Sequence, residues 1–90
     1  PCHFHASGED LTTVVERVRA VTGRVDLVHV NDSQDPHGSG RDRHANLGQG
    51  MIPGDDILAV LAATEAPGIV ETPGGTDGQG ADIAWLRDRL

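Results

Sequence analysis

The sequence has few of the side chains that usually build or cross-link a small domain. Only two aromatic residues, Phe4 and Trp85, occur among 90 residues, and tyrosine is absent. The single cysteine, Cys2, excludes an internal disulfide framework. A domain of this size normally depends on large core side chains or on such cross-links. We therefore expect part of the hydrophobic core to be supplied by residues outside this sequence.

Charge and hydropathy exclude further classes of protein. Lysine is absent, and seven arginines face 14 acidic residues, which gives a net charge of −7. This acidic balance argues against a protein that coats DNA with a basic face, although it allows contacts by a few placed arginines. No apolar run approaches the roughly 18 residues of a membrane span, and no signal peptide is recognisable. The default expectation is a cytoplasmic protein.

Hydrophobic periodicity predicts helices alternating with strands. The apolar residues from Leu11 to Val21 recur at helical spacing and fall on one face, which Gly23 ends. Two short apolar runs predict strands, the first of them buried on both faces as in parallel sheets. A glycine-rich turn is expected at 73–80. The predicted elements are a helix at 11–22, a strand at 25–30, a helix that begins at Asp55 and Asp56, a strand at 68–72 and a helix at 83–90.

The order α-β-α-β-α indicates an α/β fold in which the two strands are parallel neighbours. Two strands buried on both faces do not make a stable sheet alone. The simplest interpretation is a segment of a larger α/β protein, with two βα units of a barrel.

The stretch 31–50 is long, polar and rich in glycine, and it holds few side chains that build a core. Loops of this length inside compact domains are usually functional or disordered. This one lies between an apolar run and an amphipathic stretch, and anchoring at both ends favours a function. Within it Asp42 and His44 stand two residues apart, so in an extended segment their side chains point the same way as a pair of ligands.

Further candidate ligands fall where parallel α/β folds gather functional groups, at the carboxyl ends of strands. His29 closes the first predicted strand, Glu71 closes the second, and His3 precedes the first predicted helix. Histidine nitrogens and carboxylate oxygens suit zinc and similar divalent ions, and clusters of such ions hydrolyse phosphate esters. Taken alone, His29 is better interpreted as a hydrogen-bonded core histidine, and Asp42 and His44 fit solvated loop residues equally well.

The motifs of this sequence resemble those of endonuclease IV. The resemblance rests on His-Val-Asn-Asp-Ser at 29–33, Gly-Ser-Gly-Arg-Asp-Arg-His at 38–44 and Asn-Leu-Gly-Gln-Gly at 46–50. It continues in Cys2-His3, the end of the family's D-T-C-H, and in Val-Glu-Thr at 70–72, its L-E-T. It covers essentially all 90 residues, and they match roughly the C-terminal third of a family member.

The resemblance implies that residues 1–90 are the C-terminal segment of a xylose isomerase-like TIM (β/α)8 barrel, an incomplete domain with the last two βα units and the preceding helix. It implies a zinc-dependent apurinic/apyrimidinic endonuclease that hydrolyses the phosphodiester 5′ to abasic sites in DNA base-excision repair. Its partners would be double-stranded DNA with abasic sites and the missing N-terminal part of the barrel.

The family holds three zinc ions, and its ligands can be carried onto this sequence by position. His3, Asp42 and His44 would hold one ion, and His29 and Glu71 would help to hold another. These are the same five residues that strand-end placement and the spacing of the loop single out. By the same resemblance, the residues that contact DNA would be Ser39, Arg41 and Arg43.

Departures from the family pattern limit what the 90 residues can do alone. Gln49 stands where the family has glutamate, and Gly40 turns the family's G-S-R into G-S-G-R. The remaining zinc ligands of the family, including a bridging glutamate, are absent. We therefore expect at most one complete zinc site and no activity from the isolated chain. Two alternatives stay open: a metal-dependent barrel of the sugar isomerase or epimerase kind, and a non-catalytic metal-binding fragment.

Overall fold

Eight short elements follow one another along residues 1–90 in the computed structural model. In chain order they are helices α1 (Cys2–Ala6) and α2 (Val14–Thr22), strands β1 (Val28–Val30), β2 (Asp32–Ser33) and β3 (His44–Ala45), helix α3 (Gly54–Thr64), strand β4 (Gly68–Val70) and helix α4 (Gly75–Arg89). Strands β1 and β4 form one two-stranded sheet, and β2 and β3 form another. None of the helices combines the length and the apolar character needed to cross a membrane.

Strands β1 and β4 are the pair on which the site is built. They run parallel, with Val28 opposite Gly68 and Val30 opposite Val70. Helix α3 connects them in sequence and packs against β1, as in a βαβ unit. The prediction of parallel neighbouring strands is confirmed, although each strand is three residues long and thus shorter than expected.

The expectation that the first strand is buried on both faces is wrong. Val28 and Val30 are buried, whereas His29 between them is exposed. The core cluster packs only against the face that carries the two valines. The opposite face carries His29 and Ile69, which are partners in the parallel register. This exposed face of the sheet bears the candidate ligand His29, and Glu71 continues it beyond β4.

The N-terminal part contains one helix more than predicted. Helix α1 is only five residues long, and because it includes His3, that residue lies within the first helix and does not precede it. Five residues are too few to show a helical period in the sequence. Helix α2 begins at Val14, three residues later than predicted, because Asp10 closes a turn by accepting hydrogen bonds from Thr12. It ends at Gly23, which has φ of 82°, as expected.

The prediction of a glycine-rich turn at 73–80 is wrong, because helix α4 already begins at Gly75. Its Gly78 lies against the preceding turn, where a Cβ atom would be 2.3 Å from the Pro73 carbonyl oxygen. Glycine is needed at this position for close approach of two backbone segments, whereas the glycine content of 73–80 predicted a turn. The buried carboxylate of Asp82 fixes the helix by accepting a hydrogen bond from the Leu47 amide at 2.9 Å.

A small hydrophobic core joins α2, β1, α3 and the segment after the polar loop. It contains nine buried residues, and Trp85 and Leu86 of α4 pack against it. The core members are Leu11, Val14, Val15, Val28, Val30, Leu47, Ile52, Ile57 and Val60.

The stretch 31–50 folds back onto the sheet and is more ordered than a plain loop. Strands β2 and β3 pair antiparallel within it, with Ser33 opposite His44. The carboxylate of Asp32 is fully buried and accepts four backbone hydrogen bonds, from Ser33, Gly48, Gly50 and Ile52. One side chain at the start of β2 therefore satisfies four amides, three of them from the chain that returns at 48–52.

Candidate metal centre

All five predicted ligands line one cleft at the carboxyl ends of β1 and β4. The cleft has a volume of about 340 Å³, and apolar side chains of α2 and β1 also line it. Its polar rim comes from α1, from the end of each parallel strand and from the polar loop. The five residues are His3, His29, Asp42, His44 and Glu71. Their role as metal ligands stays a prediction.

The parallel register brings His29 and Glu71 together. His29 is opposite Ile69, and Glu71 lies two residues further along on the same face. The amide of Glu71 donates to the Val30 carbonyl at 2.9 Å, which extends the pairing beyond the strand. As a result, His29 Nδ1 and Glu71 Oε2 are 2.6 Å apart. Both side chains are about half exposed, at 55% and 45%, so both are accessible to a ligand.

Asp42 lies between two histidines from different segments. Its Oδ2 is 3.1 Å from His3 Nδ1, and its Oδ1 is 3.5 Å from His44 Nε2. The Cys2 thiol donates a hydrogen bond that, with a smaller contribution from His3, holds the pKa of Asp42 below its ordinary value of 3.8. A carboxylate that stays ionised in this way is a good ligand for a divalent cation.

His44 connects the two halves of the site. Its Nδ1 lies 3.5 Å from Glu71 Oε1, and its other nitrogen faces Asp42. Histidines and carboxylates thus alternate from His3 through Asp42, His44 and Glu71 to His29. Three imidazoles and two carboxylates around an open cleft form a donor set that suits zinc, with room for water or substrate on the exposed side.

Sequence reasoning missed two buried residues behind the ligands. Cys2 is fully buried, and its sulfur lies within 4.8 Å of the ligand atoms of Asp42 and His44. Burial, together with the Asp42 carboxylate, raises the pKa of the Cys2 thiol to about 11, so the thiol is protonated at neutral pH. Asn31 accepts a hydrogen bond from the Cys2 amide at 2.8 Å and lies 3.5 Å from His44 Nε2. Its position directly after a strand was the available signal.

The three residues expected to contact DNA are exposed and follow one another closely in the polar stretch 31–50. The Ser39 hydroxyl accepts a hydrogen bond from the Arg41 amide at 3.2 Å. The Arg41 side chain is exposed and has neither a hydrogen-bond nor an ion-pair partner within the chain. Arg43 instead donates two hydrogen bonds to Asp35, at 2.9 and 2.6 Å. The DNA contacts of all three residues stay a prediction.

Comparison with known proteins extends over almost the whole chain. The family model described as xylose isomerase-like TIM barrel matches residues 1–89. A protein named probable endonuclease 4 from Mycobacterium tuberculosis (strain ATCC 25177 / H37Ra) is 56% identical over 88 residues, which are 98% of this chain and 34% of the relative. A protein of the same name from Mycobacterium leprae (strain Br4923) is 52% identical over 88 residues, with the same coverage of 98% and 34%.

A solved structure gives the corresponding result for the fold. The crystal structure of endonuclease IV from Thermus thermophilus aligns with a TM-score of 0.71 and 32% sequence identity, over 97% of this chain and 37% of that chain. The chain therefore spans about a third of the length of the relatives that it matches. The predicted fold class, a partial TIM barrel, and the resemblance to endonuclease IV are confirmed.

Proposed function

This chain belongs to the xylose isomerase-like TIM barrel family, and from that premise we propose that it is part of a zinc-dependent apurinic/apyrimidinic endonuclease. The reaction would be hydrolysis of the DNA phosphodiester 5′ to an abasic site, as a step of base-excision repair. The relatives named probable endonuclease 4 support this assignment, because their similarity extends over 98% of the chain. The family description shares its fold with the alternative of a sugar isomerase or epimerase, but both of these relatives are named as endonucleases.

The observation that carries the proposal is the convergence of five nitrogen and oxygen ligands in one open cleft. We assign His3, Asp42 and His44 to one zinc ion, and His29 and Glu71 to part of a second site. Zinc bound there would activate water and neutralise the charge that develops on a phosphate. The protein residues hold this geometry: Asp42 orients His3, and the parallel strands orient His29 against Glu71.

The same assignment explains why the chain alone should not cleave DNA. Only the His3, Asp42 and His44 set provides three protein ligands, the number typical of a catalytic zinc site. The pair formed by His29 and Glu71 lacks a third ligand within the chain. We therefore propose one tight zinc ion per chain, with a complete active site that requires the rest of the barrel found in its relatives.

Arg41 is the residue that we assign to the DNA backbone. Its side chain is exposed and its guanidinium has no partner within the chain, so it is available to a phosphate. Ser39 shapes this turn through its hydrogen bond to the Arg41 amide. With a net charge of −7, the chain has no general attraction for DNA, so a few placed arginines would have to provide it.

The test combines zinc titration calorimetry with a cleavage assay on a duplex that contains one abasic site. We expect one zinc ion per wild-type chain, a loss of affinity of at least about 100-fold in His44→Ala, and no cleavage by the isolated chain. Asp26→Ala is the control, because Asp26 is exposed and its carboxylate pairs only with Arg24, at 3.1 Å. Failure to bind zinc at micromolar concentration would contradict the metal site. Zinc-dependent nicking at abasic sites by the 90-residue chain would contradict the proposal that a complete active site requires the rest of the barrel.

A further inference from the structure

We propose that His5, Asp35 and Arg43 form a brace that positions the ligands Asp42 and His44 against His3, and that Arg43 acts through this brace and not through a phosphate contact. The inference rests on the proposed zinc site and extends it to residues outside the cleft. It assigns to Arg43 a positioning role, whereas its place in the motif implies a contact with DNA.

The first part of the brace is a two-pronged ion pair. Arg43 donates from Nε to Asp35 Oδ2 at 2.9 Å and from Nη2 to Oδ1 at 2.6 Å. The Asp35 residue is buried, at 6% exposure, and the guanidinium lowers the pKa of its carboxyl group. Parallel pairing of this kind fixes the orientation of the arginine as well as its position. Since Arg43 lies between Asp42 and His44 in the chain, its fixed side chain restrains both neighbours.

The second part of the brace anchors Asp35 to helix α1. His5 is buried and its Nε2 donates to the Asp35 carbonyl oxygen at 2.8 Å. Ser33 adds hydrogen bonds of 3.2 Å between its hydroxyl group and the amide and carbonyl of Asp35. The acidic residue is therefore held from two sides, and it does not depend on Arg43 for its place.

The brace and the metal site share helix α1. His3 and His5 leave this helix in different directions, His3 to Asp42 at 3.1 Å and His5 to Asp35. Two parallel connections thus set the distance between α1 and the loop that carries Asp42 and His44. Gln34 completes the connection, because its amide donates to the Arg43 carbonyl and its side chain donates to the His44 carbonyl, both at 3.0 Å.

The first experiment measures the zinc dissociation constant of Arg43→Gln, Asp35→Asn and the double variant by competition with a chromophoric chelator. We expect each single variant to bind zinc about 10-fold more weakly, in the range seen for residues that orient metal ligands. The double variant should resemble the single ones, because either change breaks the same connection. Arg24→Gln is the matched control, since Arg24 forms an exposed ion pair with Asp26 at 3.1 Å.

A second set of measurements separates positioning from general stability. Cobalt(II) serves as a spectroscopic probe in place of zinc: its visible bands should change in Arg43→Ala and return when guanidinium ion is added, whereas guanidinium should not alter the wild type. Exchange of the Gln34 amide, measured without metal, should be faster in Arg43→Gln and Asp35→Asn than in the Arg24→Gln control. This last result is independent of whether the chain binds zinc, so failure of the zinc site and failure of the brace are distinguishable.

The opposite results would overturn the inference. Unchanged zinc affinity and unchanged Gln34 exchange in both single variants would show that the brace restrains nothing. The brace would also be rejected if Arg43→Gln kept full zinc affinity and lost affinity for a DNA duplex as strongly as Arg41→Gln, because Arg43 would then be a phosphate contact.

Discussion

Replacement of Asp32 by asparagine should remove much of the stability of the chain. The Asp32 carboxylate is fully buried and accepts backbone hydrogen bonds at 2.7 and 2.9 Å on Oδ1 and at 3.1 and 3.2 Å on Oδ2. An asparagine offers a single oxygen, so two of the four amides would lose their acceptor and face an NH2 group. At about 1.5–3 kcal/mol for each hydrogen bond to a charged group, the loss is roughly 3–6 kcal/mol.

That loss is large for a chain of this length. At about 0.05–0.15 kcal/mol per residue, 90 residues correspond to a total stability of roughly 4–14 kcal/mol. The assay is urea unfolding followed by circular dichroism at low micromolar concentration. Asp26→Asn is the control, because Asp26 is exposed in a surface ion pair and its loss should cost at most about 1 kcal/mol.

A local measurement distinguishes loss of this network from general weakening. The amides of Gly48, Gly50 and Ile52 donate to Asp32 and should exchange faster with solvent in Asp32→Asn than amides of helix α2. The result that would refute this reasoning is a free energy of unfolding of Asp32→Asn within about 1 kcal/mol of that of the control. The four hydrogen bonds would then not explain why the carboxylate is buried or why the loop is ordered.

Three further predictions follow from other residues. Gly78→Ala should destabilise the chain, because the new Cβ would lie 2.3 Å from the Pro73 carbonyl, whereas Gly80→Ala, with nothing within 4 Å, should stabilise helix α4 by about 0.5–1 kcal/mol in thermal unfolding. The ion pair with Arg43 depresses the pKa of Asp35 below 3.8, so the contribution of this pair to stability is present above pH 3.8 and is lost as the pH falls further. The difference in Tm between wild type and Asp35→Asn should therefore shrink on acidification. A difference that stayed constant would contradict this. Cys2 is fully buried, so a thiol reagent at pH 8 should label it only as fast as the chain unfolds, and immediate labelling would disprove its burial.

The order of the main helices and strands was predictable because it depends on local patterns of apolar residues in the sequence. The apolar spacing of α2 and the alternation of strands with helices need only neighbouring residues to be recognised. The start of α4 was missed because glycines that permit close packing, such as Gly78, have the same composition as glycines that make turns. Helix α1 was missed because so short a helix shows no period in the sequence and is held by distant partners. One of these is Asn31, 29 residues away, which accepts a hydrogen bond from the Cys2 amide.

The candidate site was predictable for a different reason. His29 and Glu71 lie at strand ends, and parallel sheets gather such residues at one edge. Asp42 and His44 were found by their spacing and by the family motif. The residues that support them were not found, because a buried Asp35 looks in the sequence like any polar loop residue. Its role depends on His5, which lies 30 residues earlier in the chain.

The parallel register of β1 and β4 also determines when the cleft can form during folding. The contact between His29 and Glu71 spans 42 residues, and that between His3 and Asp42 spans 39. Contacts of such separation require closure of long loops and form late, after local helices such as α3. A metal ion bound by these side chains would therefore find no site in the early folding chain. It would slow unfolding more than it speeds folding, and would stabilise the chain only after the fold is complete.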